Sequence, residues 1–199
     1  MKITKEIFKN KKIALYGGTF NPIHLGHLLT AIYVRENLGY DLVIFIPANI
    51  PVHKDTSCLI DPKKRLKMVE LSIRNIKYFL LSDIEIKRGG NSYTIDTVLE
   101  LKEKYEYNDK FGIIIGDDLL PDLDKWKNID LLQNICNIIC FKRDKYIDIK
   151  TNYKVEFVNN RIIEISSTEI RDRIKKGLSI DFMVTDKVKK YIQKNRLYL

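Results

Sequence analysis

The sequence predicts an α/β protein: a Rossmann-like, doubly wound parallel sheet with helices on both faces and a small helical C-terminal part. Three observations lead there. Short apolar runs alternate with stretches of helical periodicity along the chain, the pattern of strand–helix–strand units. Phe111-Gly112-Ile113-Ile114-Ile115 is almost continuously apolar, as in a strand covered on both faces. The first strand, Ile13-Ala14-Leu15-Tyr16, passes directly into Gly17-Gly18 and then a helical stretch, which offers backbone N–H groups and a helix dipole to an anion.

After Ile13–Tyr16 a helix is expected over about Leu25–Leu38, then the strand Leu42-Val43-Ile44-Phe45-Ile46, ending at Pro47. A second helix runs from about Pro62 to Asn75, with Asp61 as N-cap and Pro62 in its first position. Leu66, Met68, Val69, Leu71 and Ile73 supply its buried face, while Arg65 reads as a salt-bridging surface residue. Tyr78–Leu81 is a strand, Ile95–Tyr105 a helix carrying Val98 and Leu101, and Phe111–Ile115 the central strand. A helix near Leu131, the strand Asn137–Phe141, and short strands near Val155–Val158 and Ile162–Ile165 follow. Helices over about Ser167–Lys176 and Asp186–Lys194 close the pattern. One domain over residues 1–199 is expected, its sheet core in 12–165 and its helical part in 166–199, without internal repeat or linker.

In doubly wound sheets ligands sit beyond the carboxyl ends of the strands, beside the point where strand order reverses. Gly17-Gly18, Pro47 and Gly116-Asp117-Asp118 all fall at such ends, so three loops are expected to converge on one crevice. The loops near 47–61 and 83–94 are rich in Pro, Gly and polar residues and are candidates for substrate contact.

The charge balance is 35 Lys+Arg against 26 Asp+Glu, a net +9. Nucleic acid, a membrane surface or a small anionic substrate would each suit that excess. The charges are spread without a block of like sign, and no RNP-like aromatic pattern, KH loop or basic stripe accompanies them. That weighs against nucleic acid. No apolar run approaches the roughly 20 residues of a bilayer span, and the charged N-terminal stretch reaches no apolar signal core. A cytoplasmic protein without a membrane partner is expected. Cys58, Cys136 and Cys140 cannot all pair with one another, which suits a reducing compartment. The spacing of His24, His27, His53 and Cys58 matches no zinc pattern.

His24 and His27 stand three apart at the head of a helical stretch, on one helical face. Flanked by Gly17-Gly18 and separated by Leu25-Gly26, both imidazoles are placed to meet one phosphate group. Downstream, Ser166 or Ser167 ends a strand and caps the following helix, turning N–H groups and hydroxyls to the crevice. Arg171, one helical turn further in, reaches a phosphate of the same ligand.

Gly17-Gly18-Thr19-Phe20-Asn21-Pro22-Ile23-His24-Leu25-Gly26-His27 resembles the HxGH signature of the nucleotidyltransferase superfamily, including its Gly-Gly-Thr-Phe lead-in. Ile165-Ser166-Ser167-Thr168-Glu169-Ile170-Arg171, about 140 residues downstream, resembles that superfamily's ISSTxxR motif. Between them, the segment from Pro47 to Lys54 is similar to the PxxxPPHK segment of bacterial nicotinate-nucleotide adenylyltransferases, and Ser92–Thr97 to their SYTxDT segment. Gly116-Asp117-Asp118, Trp126 and Arg143 resemble their GxD, their single tryptophan and an arginine after the next strand. Asn21 stands where Asp is frequent, and Val52 where a second Pro often stands.

The resemblance implies an adenylyltransferase that joins ATP and nicotinate mononucleotide into nicotinate adenine dinucleotide (deamido-NAD) and pyrophosphate. It assigns catalysis to His24, His27 and Arg171. It places these three at the ATP site with Gly17, Gly18, Thr19, Phe20, Gly26, Gly116, Asp118, Ile165, Ser166, Ser167 and Thr168. Nicotinate mononucleotide is assigned to Lys54, Tyr93, Thr94, Asp118, Trp126 and Arg143. The chemistry of these side chains suits the roles. Trp126 offers a flat face for stacking, and Asp118 accepts hydrogen bonds from ribose hydroxyls. Lys54 is a point charge for a phosphate, and Thr94 with nearby backbone suits the ring carboxylate. Mg²⁺ would arrive with ATP rather than on protein side chains. The partners implied are these two small molecules; a homo-oligomer is compatible with them. The nearest alternative is a sister transferase acting on NMN, phosphopantetheine or a cytidylyl acceptor. More remote are a non-catalytic RNA-binding module and a fragment of a class I aminoacyl-tRNA synthetase, whose HIGH motif is similar but whose KMSKS-type sequence is missing here.

Overall fold

The structure, a computed structural model, describes residues 3–52, 56–142, 151–158 and 163–199. In chain order its elements are α1 (Lys5–Phe8), β1 (Ile13–Gly18), α2 (Leu25–Asn37), β2 (Leu42–Pro47), β3 (Ile50–Pro51), α3 (Pro62–Ile73), β4 (Phe79–Leu81), α4 (Ile84–Arg88), β5 (Asn91–Ser92) and α5 (Thr94–Tyr105). They continue with β6 (Phe111–Gly116), a 3₁₀ segment (Asp117–Lys125), α6 (Ile129–Ile135), β7 (Cys136–Phe141), β8 (Val155–Val158), α7 (Ser167–Lys175) and α8 (Asp186–Lys194).

The main sheet has six strands in the order β4-β2-β1-β6-β7-β8, and every pairing is parallel. The chain builds outward from β1 to β2 and β4, then returns to β6 and builds the other way. The strand order therefore reverses between β1 and β6, the crevice-forming arrangement of a doubly wound sheet.

Alternate residues of each strand feed two separate cores. In β1, Ile13 and Leu15 belong to one cluster and Ala14 and Tyr16 to the other; in β2, Ile44 and Ile46 oppose Val43 and Phe45. This is the period-two alternation of a strand buried on both faces. Helices α2, α3, α7 and α8 cover one face through Ala31, Val34, Met68, Val69, Ile170, Val188 and Ile192. Helices α1, α4, α5 and α6 cover the other through Phe8, Ile84, Val98, Leu101, Ile129 and Leu132. Glycine inside β6 also has a packing reason. A Cβ on Gly112 would lie 2.5 Å from the ring of Tyr40, so only a bare backbone lets that ring close the sheet.

The expected elements are present with ends shifted by one or two residues. Asp61 caps α3 through its side chain, accepting from the N–H groups of Lys63 (2.7 Å) and Lys64 (3.3 Å), with Pro62 behind it. Besides the unexpected α1 and 3₁₀ segment, three features differ. The loops near 47–61 and 83–94 are partly regular, because β3 and β5 pair with each other and α4 precedes β5. The strand expected over Ile162–Ile165 is not one over its described residues: the Ile165 N–H bonds back to the Ile163 carbonyl at 2.9 Å, a three-residue turn that ends extended pairing. Arg65 is no surface residue; it is fully buried in α3, its guanidinium bonded to main-chain carbonyls.

Candidate active site

The carboxyl ends of β1, β2 and β6 open into a cleft of about 660 Å³. In register, Gly18 of β1 lies beside Pro47 of β2, and Gly116 of β6 beside Phe141 of β7. Gly17, Gly18, Thr19, Phe20, His24, His27, Gly116, Asp118, Ser166, Ser167, Thr168, Arg171, Thr94 and Trp126 all line this cleft. Gly26 and Ile165 line an adjoining cavity of about 330 Å³, which shares His24, His27, Gly116 and Ser166 with it. Asp118 is exposed to the cleft while its neighbour Asp117 is turned inward and buried.

The turn after β1 is tightly constrained. Phe20 is buried and holds φ at 48°, in the left-handed region that a bulky side chain enters only when its surroundings impose it. His24 is the N-cap of α2, and the two imidazoles lie against each other with centroids 3.7 Å apart. The edge of Phe20 abuts His27, ring centroids 5.0 Å apart. The His24 backbone N–H donates to Nδ1 of His27 at 3.2 Å, so Nδ1 is the acceptor nitrogen and Nε2 is the one left to carry a proton. Gly26 suits this packing: a Cβ there would stand 3.0 Å from Nδ1 of His24, and the imidazole would have to give way.

The second motif closes onto the first. Ser166 caps α7 by accepting from the Glu169 N–H at 3.1 Å. Ser167 Oγ donates to the Pro22 carbonyl at 2.8 Å. Arg171 donates through Nη1 to the Asn21 carbonyl at 3.0 Å and through Nη2 to Thr168 Oγ1 at 3.1 Å. Two segments far apart in sequence thus form one wall carrying two imidazoles, a guanidinium, the hydroxyls of Ser166, Ser167 and Thr168, and the N-termini of α2 and α7. Such a wall is suited to a polyanion.

The opposite wall is made of loops, tied down by buried polar side chains. Arg65 is fully buried and bonded to three carbonyls: Nε to Ile60 (3.1 Å), Nη1 to Thr19 (2.8 Å) and Nη2 to Asn49 (2.8 Å). Burial lowers its pKa to about 10. Beyond it, the Asn49 N–H donates to Ser92 Oγ at 2.9 Å, and Ser92 bonds to the buried Glu85. Thr97 Oγ1 donates to Glu85 Oε1 at 2.7 Å and accepts from Arg88 Nη2 at 2.8 Å. Desolvation pushes the Glu85 carboxyl above its ordinary 4.5, and the hydrogen bonds from Thr97 and Ser92 pull it partly back. Tyr93 does not join Thr94 and Trp126 at the cleft. Its ring packs on the core cluster beneath α5, with the Lys127 ammonium 5.0 Å above it. Lys54 and Arg143 lie outside the described residues.

Several lining residues carried no readable signal. Glu85 and Cys58 line the cleft, and Lys142 the adjoining cavity, with no motif to mark them; Ser92 and Thr97, which also line the cleft, end the Ser92–Thr97 segment, whose resemblance assigns neither of them a ligand. Asn21 did stand out, as an amide where a carboxylate is frequent. Its side-chain N–H donates to the Cys58 carbonyl at 2.9 Å, a bond that a carboxylate cannot make.

The comparisons agree with this geometry. The cytidylyltransferase-like family matches residues 15–173. Nicotinate-nucleotide adenylyltransferase of Bacillus subtilis is 42% identical over 188 residues, covering 94% of this chain and 98% of the relative. A relative from Borrelia garinii subsp. bavariensis, named "Probable nicotinate-nucleotide adenylyltransferase", is 39% identical over 94% of this chain and 95% of its own length. Among solved structures, Plasmodium falciparum nicotinic acid mononucleotide adenylyltransferase complexed with NaAD superposes with a TM-score of 0.78, at 23% identity over 95% of this chain and 98% of that one. By fold, by the two motifs joined in one wall of the cleft and by near full-length similarity, the chain belongs to the cytidylyltransferase-like family and, within it, to the nicotinate-nucleotide adenylyltransferases.

Proposed function

We propose that the chain transfers the adenylyl group of ATP to nicotinate mononucleotide, giving deamido-NAD and pyrophosphate, a step of NAD biosynthesis. The observation that carries this reading is the joining of the two motifs. Ser167 on the Pro22 carbonyl and Arg171 on the Asn21 carbonyl bring both halves of a phosphate site to the histidine pair, in a chain 42% identical to the Bacillus subtilis enzyme.

The attacking group is a phosphate oxygen of the mononucleotide, already ionised at neutral pH, so no general base is needed. It forms a bond to the α-phosphorus of ATP as the bond to the bridging oxygen breaks, and pyrophosphate leaves with that electron pair. Catalysis is then positioning and neutralisation of charge on the α-phosphate and the leaving group. His24, His27 through Nε2–H, and Arg171 supply the donors. Backbone around Gly17, Gly18, Thr19 and Phe20, together with Ser166, Ser167 and Thr168 at the α7 N-terminus, holds the triphosphate. Gly26, Gly116, Asp118 and Ile165 border the nucleoside.

On the opposite wall Trp126 stacks on the pyridine ring, and Thr94 at the N-terminus of α5 meets its carboxylate. Asp118 accepts from ribose hydroxyls, and the resemblance assigns further anion contacts to Lys54 and Arg143. Tyr93, packed away from the cleft, supports Thr94 rather than touching the ring. Among the described residues no group of three His, Cys, Asp or Glu side chains is placed to hold a metal ion. Mg²⁺ would arrive with ATP and would supply further neutralisation of the triphosphate beside His24, His27 and Arg171.

ATP labelled at the α-phosphorus tests the reading. With nicotinate mononucleotide and Mg²⁺ the label is expected in deamido-NAD, and label at the γ position in pyrophosphate. Label that never enters the dinucleotide would overturn it.

A further inference from the structure

Behind the catalytic wall, Tyr198 makes a contact that the transfer chemistry does not require on its face. It follows α8, the residue is 9% exposed, and its hydroxyl donates to Oδ1 of Asn21 at 2.9 Å across 177 residues of sequence. Both ends of this bond sit on constrained backbone. Tyr198 holds φ at 66° and Phe20, just before Asn21, holds φ at 48°, conformations that bulky residues keep only when packing dictates them. Asn21 is a hub. Its Oδ1 accepts from Tyr198, its Nδ2 donates to the Cys58 carbonyl, and its main-chain carbonyl receives Arg171. The phenol also lies within the field of both Arg171 and Arg65, while burial raises its pKa, so the hydroxyl remains a donor.

We propose that Tyr198 is a positioning residue for adenylyl transfer. By fixing the Asn21 side chain it sets the Asn21 carbonyl on which Arg171 docks, and so aims the guanidinium at the ATP phosphates. Tyr198 does not line the cleft and touches no substrate; it acts through Asn21 and Arg171. Without the hydroxyl, Oδ1 of a 6% exposed Asn21 loses its donor, and the buried amide re-orients to recover one. The carbonyl on the same residue moves with it, and small displacements of a charge-neutralising group are costly in turnover. This inference rests on the adenylyltransferase reading.

The test is a double-mutant cycle read by deamido-NAD formation, using the wild type, Tyr198→Phe, Arg171→Lys and the double variant, with melting temperatures alongside. Tyr198→Phe is expected to lower kcat about tenfold, with KM for both substrates within about twofold of wild type. In the Arg171→Lys background the same change is expected to cost less than about twofold, because the guanidinium it aims is gone. If Tyr198→Phe fails to fold, Asn21→Ala replaces it, with the same expected loss and the same non-additivity with Arg171→Lys. Unchanged kcat, or an equal loss in both backgrounds, would overturn the proposal and leave Tyr198 a packing residue. A wild type that forms no deamido-NAD would overturn the functional reading and this proposal with it.

Discussion

The two walls of the cleft are built by different means. The motif wall stands on regular structure: the end of β1, the N-termini of α2 and α7, and short hydrogen bonds from Ser167 and Arg171 to main-chain carbonyls. The opposite wall is loop, held by buried polar side chains, with Arg65 gripping three carbonyls and Glu85 collecting Ser92 and Thr97. Chemistry common to many adenylyl transfers needs fixed donors, and helix ends supply them with little conformational freedom. Acceptor choice needs a particular shape, and loops clipped in place provide it. The division predicts that damage to the first wall appears in kcat, and damage to the second in KM and stability.

The largest separation is expected from His27→Ala. Loss of one stabilising donor should lower kcat by about 10²-fold or more, with the acceptor KM little changed; near-normal turnover in a folded variant would remove His27 from the mechanism. Arg65→Ala should act on stability. It leaves the carbonyls of Thr19, Asn49 and Ile60 without their donor, a loss of about 2 kcal/mol, or roughly 4–8 °C in melting temperature for a chain of this size. Arg65→Lys should not restore it, because one ammonium cannot reproduce the guanidinium fork. A melting temperature unchanged by Arg65→Ala would show that the clamp is dispensable.

Trp126→Ala should raise the acceptor KM about tenfold, the weight of one stacked ring, and leave kcat nearly intact. A fall in kcat alone would move Trp126 out of acceptor binding. The smallest effect concerns pH. The folded-state pKa of Glu85 is raised above its ordinary 4.5, so between those two values the folded protein binds more protons than the unfolded chain. Its contribution to stability is therefore full at low pH and is lost as pH rises through the folded value. Glu85→Gln, which keeps an acceptor for Thr97, should gain in melting temperature relative to wild type as pH rises from 4 toward 7. A constant difference across that range would contradict the raised value.

How far the sequence carried differs between the walls in the same way. The strands at Leu42–Pro47 and Phe111–Gly116, the Asp61-Pro62 helix start and both motif segments were legible, because hydrophobic period, capping chemistry and glycine placement are local signals. Arg65 was not. An arginine on an amphipathic helix looks like a solvated charge, and what makes it a clamp is the approach of Thr19, 46 residues away. The same holds for Glu85 with Thr97 and for Tyr198 with Asn21, whose partners are fixed only by the fold. Tyr93 shows the converse: its place within the Ser92–Thr97 segment suggested a ligand contact, while the turn into α5 directs its ring beneath Lys127.

Acceptor choice is the most direct test of the division between the walls. Purified protein is offered ATP with nicotinate mononucleotide, with its amide NMN, or with phosphopantetheine, and kcat/KM is read from pyrophosphate release. Nicotinate mononucleotide is expected to be preferred over both, with one deamido-NAD formed per pyrophosphate. Equal or faster release with the amide or with phosphopantetheine would contradict it.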